Sequence, residues 1–165
     1  MIAPRLALLA CSATKATDPK PMPAVRRYQG PLWQTARAAG AGSADGAPCQ
    51  LGFLSAAFGF GLGDDALPYY DKRMLPSAGA QLAAAIEAGE DRGTRELFRR
   101  AAARAGRPLE AVALVAGKDY LPAMLAAVAV GKAAGYIAGD ARVTVINGTI
   151  GRMRQQLRAW VGGAA

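Results

Sequence analysis

Leu6-Ala7-Leu8-Leu9-Ala10 runs straight into Cys11-Ser12-Ala13-Thr14-Lys15. Five uninterrupted apolar residues read as a strand covered on both faces, and the small, polar, lysine-bearing stretch reads as the loop at its carboxyl end. In an open α/β sheet such loops line the ligand crevice. The same residues also fit a plain turn in which Ser12 and Thr14 only satisfy nearby backbone groups. The later strands decide between these readings.

Three more segments read as strands, over residues 50–54, 110–116 and 142–146. The second ends at Ser55-Ala56-Ala57-Phe58-Gly59, the third at Gly117-Lys118-Asp119-Tyr120, and the fourth at Asn147-Gly148-Thr149-Ile150-Gly151. Helices are expected over about 31–39, 78–88 with Ser77 as N-cap, 94–105 and 121–134, with a last amphipathic one carrying Arg152, Arg154 and Arg158 before Gly162-Gly163. Residues 16–27, with three prolines, read as an extended loop over the top of the sheet, and residues 40–48 as a surface turn. Residues 60–67 are too glycine-rich for a helix, and Asp64 and Asp65 are expected to face water. This predicts one α/β domain over 1–165, a three-layer sandwich around a mostly parallel sheet of about four strands.

Composition narrows the chemistry. Twenty Lys and Arg against twelve Asp and Glu give a formal charge of +8, which attracts polyanions without naming one. There is no histidine, which removes the commonest general base, the Ser-His and Cys-His nucleophile pairs and most catalytic zinc sites. No metal site or cofactor is expected. Two cysteines, Cys11 and Cys49, with no secretory signal fit a reducing compartment, so a cytoplasmic, soluble protein with no membrane partner is expected. Oligomeric state is not readable.

Four strands ending in loops of small residues with a few reactive ones point to a single pocket at one sheet edge. Cys11, Ser12, Lys15, Ser55, Gly59 and Lys118 fall in those loops, and Asn147, Gly148, Gly151 and Arg152 belong to the last one. Lys15 and Lys118 supply positive charge, and the 147–151 turn offers backbone N–H groups at a helix start, so a phosphate-bearing ligand is expected. GxxxxGK[ST] is absent, and Gly59-Phe60-Gly61-Leu62-Gly63 does not match GxGxxG. Asp71 and Asp119 are the acids available to activate water or stabilise a cationic sugar transition state. Asp119 equally suits a salt bridge or a helix N-cap, and Asp71 a loop hydrogen bond. Tyr69 and Tyr70 offer faces on which a base can stack. Tyr28, beside Trp33, reads first as packing and second as a stacking platform.

The blocks Cys11-Ser12-Ala13-Thr14-Lys15, Tyr28-Gln29-Gly30-Pro31-Leu32-Trp33, Leu54-Ser55-Ala56-Ala57-Phe58-Gly59, Pro68-Tyr69-Tyr70-Asp71 and Ala116-Gly117-Lys118-Asp119-Tyr120 resemble the CSxxK, YxGxLF, SAxYG, PYD and GKDY blocks of an uncharacterised bacterial and phage domain family. That family is distantly similar to the YaaA peroxide-stress proteins and to the CSxxK domain of archaeosine synthases, which has a uracil-DNA-glycosylase-like fold. The resemblance implies an α/β sandwich and a tie to nucleotides or nucleic-acid modification. The expectation is therefore a nucleotide-binding, glycosylase-like hydrolase or base-exchange enzyme acting on a nucleotide, DNA or RNA. A non-catalytic DNA- or RNA-binding stress protein, using the basic faces 95–104 and 152–158, is the alternative, and a sensor built on a Cys11 thiol beside Lys15 is a third.

Overall fold

The computed structural model describes residues 2–42 and 45–163, so Ser43 and Ala44 of the expected 40–48 turn lie outside the described residues. The chain forms β1 (Arg5–Ala10), β2 (Met22–Pro23), α1 (Ala24–Arg27), α2 (Pro31–Ala38), β3 (Gln50–Ser55), β4 (Gly59–Leu62) and β5 (Ala66–Leu67). It continues with α3 (Pro76–Glu87), α4 (Arg92–Ala105), β6 (Leu109–Val115), α5 (Leu121–Ala133), β7 (Ile137–Ile146) and α6 (Ile150–Val161).

The main sheet has five strands in the order β4-β3-β1-β6-β7. β1 pairs in parallel with β3 on one side and β6 on the other, and β7 extends the parallel run. Its central place explains its composition. Leu6 and Leu8 enter the core beneath α3, α4 and α5, while Ala7 and Leu9 enter the core beneath α2 and α6, and none of the four is exposed. A strand with helices on both faces has no side on which a polar residue would meet water.

The fifth strand is the main-sheet element the sequence reading lacked, and the end of the expected 16–27 loop is also ordered, as β2, which pairs with β5, and the single turn α1. β4 is antiparallel to β3, with Phe53 opposite Gly61. A Cβ on Gly61 would lie 2.5 Å from the Phe53 ring, so the aromatic side chain occupies the place of a missing one. Glycine here makes room for a ring. The hairpin turns through Gly59 at φ +70°, which only glycine adopts cheaply. Ser55 Oγ accepts the N–H groups of Ala57 and Phe58, each at 3.1 Å.

Three smaller expectations are corrected. α3 starts one residue before Ser77, because Pro76 suits a first helical position where no N–H is needed, and Leu75 precedes it without a side-chain cap. Asp65 and Asp64 do not simply face water: each forms a two-pronged ion pair, with Arg100 at 2.5 and 2.8 Å and with Arg104 at 2.8 and 3.0 Å. The expected basic face of α4 is thereby largely neutralised, since Arg99 also pairs with Glu96. Finally, β7 begins at Ile137 opposite Leu109 and resumes regular pairing at Arg142 after an irregularity. No helix among the described residues is long and apolar enough to cross a membrane.

Candidate functional site

The order of the sheet places the crevice. From β1 the chain moves outward to β3 on one side, then returns across to β6 on the other, so the loops after β1 and β6 part from each other at a topological switch point. A cleft of about 390 Å³ opens there. Ala10, Cys11 and Ser12 form one wall and Val115 to Tyr120 the other. The start of α2, from Gly30 to Trp33, closes it on one side, and Ile150 and Met153 of α6 with Arg73 and Met74 complete it. A second arm of about 290 Å³ shares Cys11, Ser12, Arg73 and Tyr120 and adds Ala13, Lys15, Asp71 and Lys72. The two arms form one groove with a largely apolar floor and a charged rim.

The first wall is held by the chain that follows it. Cys11 N donates to Leu54 O at 3.0 Å, continuing the β1–β3 pairing one step into the loop. Trp33 Nε1 donates to Ala10 O at 2.9 Å, and Gly30 N to Ser12 Oγ at 3.2 Å. A Cβ on Gly30 would stand 2.6 Å from that of Ser12, so glycine is what lets α2 start against the loop. Lys15 pairs with Tyr28 in an antiparallel bridge. Behind this the buried Arg27 guanidinium donates to the carbonyls of Ala16, Asp18 and Lys20 at 2.6 Å each and of Leu67 at 3.1 Å. An arginine with only carbonyl partners acts as a staple, gathering the proline-rich loop onto β5.

A set of hydroxyls and one thiol converges beneath the groove. Ser55 donates to the Tyr70 hydroxyl at 2.8 Å, and the Tyr28 and Tyr70 hydroxyls lie 2.5 Å apart. Cys11 Sγ lies 3.0 Å from the Tyr120 hydroxyl, which also accepts Met74 N–H at 3.4 Å. Burial pushes the pKa values of Tyr28, Tyr70 and Tyr120 well above the ordinary phenol value, so all three are neutral at physiological pH. Neutral phenols in a groove are hydrogen-bond donors, suited to a carbonyl or a developing anion. Lys15 Nζ sits 4.7 Å above the Tyr70 ring, and the Phe58 and Tyr70 rings meet at right angles with centroids 5.0 Å apart.

No family model, curated protein or solved structure matches this chain.

Among the residues expected from sequence, Cys11, Ser12, Lys15, Asp71, Lys118 and Asp119 line the groove. Neither Asp71 nor Asp119 has a side-chain hydrogen bond or ion pair among the described residues, so the salt bridge, N-cap and loop bond considered for them are not formed. Tyr28 and Ser55 lie beneath, joined to Tyr70. Tyr70 is no open platform, because its hydroxyl is engaged and its ring is covered by Lys15 and Phe58; Tyr69, 47% exposed, faces outward. Gly59 belongs to the β3–β4 turn. The 147–151 turn contributes less than expected: the Asn147 side chain donates to Ala116 O at 2.7 Å and ties the ends of β6 and β7 together. Gly148, Gly151 and Arg152 do not line the cleft, whereas Ile150 does.

The sequence reading missed Arg73, Met74 and Tyr120 as parts of the wall, and Trp33, read first as packing, is buried at its edge. Tyr120 stood in plain view at the end of a strand loop. Arg73 and Met74 come from a segment with no regular structure, whose path only the fold specifies.

Proposed function

We propose that the protein acts on a nucleotide unit, cleaving or exchanging its N-glycosidic bond, and that its finer kinship is with the uracil-DNA-glycosylase-like sandwiches its motifs resemble. One observation carries this reading: two unpaired carboxylates, Asp71 and Asp119, and four cations, Lys15, Lys72, Arg73 and Lys118, share the rim of one apolar-floored groove at the sheet's switch point. The volume of the larger arm, about 390 Å³, lies within the roughly 300–1,000 Å³ of small-molecule sites. Phosphate is held by the cations, which make charge-assisted bonds to its oxygens. Pro31, Leu32 and Ile150, apolar lining residues that are not buried, supply surface for a base.

In the hydrolytic direction the chemistry balances. Water attacks the anomeric carbon as the carbon–nitrogen bond breaks, and the bonding pair leaves with the base. Asp119, as the carboxylate, stabilises the positive charge that develops on the sugar and then takes the proton from water, which passes through solvent to the departed base. The departing base gains electron density, and in this reading the Tyr120 phenol meets it with a hydrogen bond in exchange for its contact with Cys11 Sγ. Asp71, on the smaller arm among three cations, is better suited to orient the sugar.

The test is release of free base from a panel of nucleotides and of modified and unmodified oligonucleotides, resolved by mass. Asp119→Asn is expected to lower the rate at least 100-fold, the usual scale for a lost general base or acid, and Asp71→Asn by less. Release unchanged in the Asp71→Asn, Asp119→Asn double variant would remove this mechanism.

A further inference from the structure

The positive charge of this protein is not spread over its surface. Residues 64–110, which build α3 and α4, contain eight cations and eight acids. All four ion pairs of the described residues belong to that side: Arg99 with Glu96, Arg100 with Asp65, Arg104 with Asp64 and Arg107 with Glu110. On the opposite layer, residues 19–42 contain four cations and no acid, and residues 141–163 contain four arginines and no acid. Arg27 and Arg37 of that layer are engaged with backbone carbonyls. Lys20, Arg26 and Arg142 are exposed singly, and among the described residues α6 carries the only three exposed cations of this layer that share one helix.

α6 starts at the groove, where Ile150 and Met153 form part of the wall, and runs away from it. Met153, Leu157, Trp160 and Val161 are buried against the sheet, leaving Arg152, Arg154 and Arg158 exposed. Arg154 Nε donates to Thr35 Oγ1 of α2 at 3.1 Å, which fixes the guanidinium while its terminal nitrogens stay open. Arg158 lies one turn further along the same face. A helix that only needed solubility would interleave both signs; this one presents a single sign, and its first turn borders, through Ile150 and Met153, the cleft that Arg73 and Lys118 also line.

We infer that the nucleotide enters the groove as part of a single strand of nucleic acid whose phosphates lie along the exposed face of α6. This rests on the nucleotide reading of the groove and extends it from a monomer to a polymer. A polyanion is favoured over a lipid surface because, beyond Ile150 at its first position, the open face of α6 offers no large apolar side chains to bury in a bilayer. A single strand is favoured over a duplex because a paired base is closed to a recessed groove.

The test measures binding of a fluorescent single-stranded 20-mer, the matching duplex, a free mononucleotide and anionic phosphatidylserine vesicles over a salt series. Arg152→Gln, Arg154→Gln and Arg158→Gln are combined in one variant, and Arg92→Gln, Arg95→Gln and Arg99→Gln on α4 in a charge-matched one. Thermal unfolding confirms that both are folded. The α6 variant is expected to weaken strand binding ten-fold or more at 0.1 M salt. Its log–log salt slope is expected to fall by about 2, from roughly 0.7 per phosphate contact on a single strand. The α4 variant is expected to stay within two-fold of the parent. Equal weakening by the two variants, or vesicles or duplex bound as tightly as the strand, overturns the inference. Strand binding that depends on α6 without any base release leaves this surface standing and removes the glycosidic reading. Turnover of a free nucleotide with no strand binding does the reverse.

Discussion

At the scale of single residues, Gly79 shows how a tertiary contact reverses a local preference. It lies inside α3, where alanine is ordinarily favoured over glycine by about 1 kcal/mol. A Cβ there would stand 2.2 Å from the Asp119 carbonyl oxygen, a backbone atom that cannot swing aside. Gly79→Ala is therefore expected to destabilise the protein by about 1–3 kcal/mol, the usual cost of overpacking. It should also displace the Asp119 loop. Urea denaturation of this variant checks the sign, and stabilisation would mean that α3 does not approach the loop as described. Nothing local to Gly79 announces this contact, since its partner lies forty residues away.

At the scale of elements, the loop between β1 and α2 depends on Arg27. Four carbonyls from separate parts of the chain converge on one guanidinium that is not exposed at all. Replacing it by an apolar side chain leaves those carbonyls without their donor, and hydrogen bonds to a charged group are worth about 1.5–3 kcal/mol each. Arg27→Leu is expected to cost more than about 3 kcal/mol and to open residues 16–23 to proteolysis. Arg27→Lys should not rescue it, because a compact ammonium cannot reproduce the planar fork. Denaturation midpoints and the cleavage pattern together measure this. The sequence reading took 16–27 for an extended loop on its prolines and scattered cations. Arg27 looked like one of those surface cations, since burial of a charge is decided by where the distant carbonyls of β5 and of its own loop arrive.

At the scale of the whole molecule, the absence of histidine sets the shape of the stability–pH curve. Burial tends to raise the pKa of Asp65, but the Arg100 hydrogen bonds and charge and the Leu62 N–H outweigh it, so the carboxyl ends below its ordinary value. A group whose pKa is lowered by folding contributes stability above its unfolded value, near about 3.9, and loses it as pH falls through the folded value. Burial pushes the Cys49 thiol the other way, up to about 11. Its contribution is present below its unfolded value near 9.0 and is lost as pH rises toward about 11, and the buried phenols add to the loss once pH passes their unfolded value of 10.0. The melting temperature is expected to be nearly flat between about pH 5 and 8 and to fall on both sides. Cys49→Ala should flatten the onset of the alkaline limb. A titration step near pH 6.5 would contradict this, because no side chain of the ordinary kind is present to cause it. The same scale shows the division of charge between the layers, neutral over α3 and α4 and basic along α6, which the net value of +8 conceals.

The amino-acid sequence by itself determined the parallel strands, their order along the chain and the loops in which reactive residues would cluster. Those signals are local: an apolar run long enough to be buried on both faces, ended by small polar residues, needs no knowledge of its neighbours. It also settled which chemistry was open, because composition alone removes histidine. Only the tertiary structure decided that Gly59–Leu62 is a strand, since that depends on the Phe53 ring lying over Gly61. It alone turned Asp64 and Asp65 into partners of α4, withdrew Tyr70 beneath Lys15, and brought Arg73 and Met74 to the groove. Each of these is a meeting between residues far apart in the chain, and a pairwise contact leaves no mark on either residue alone.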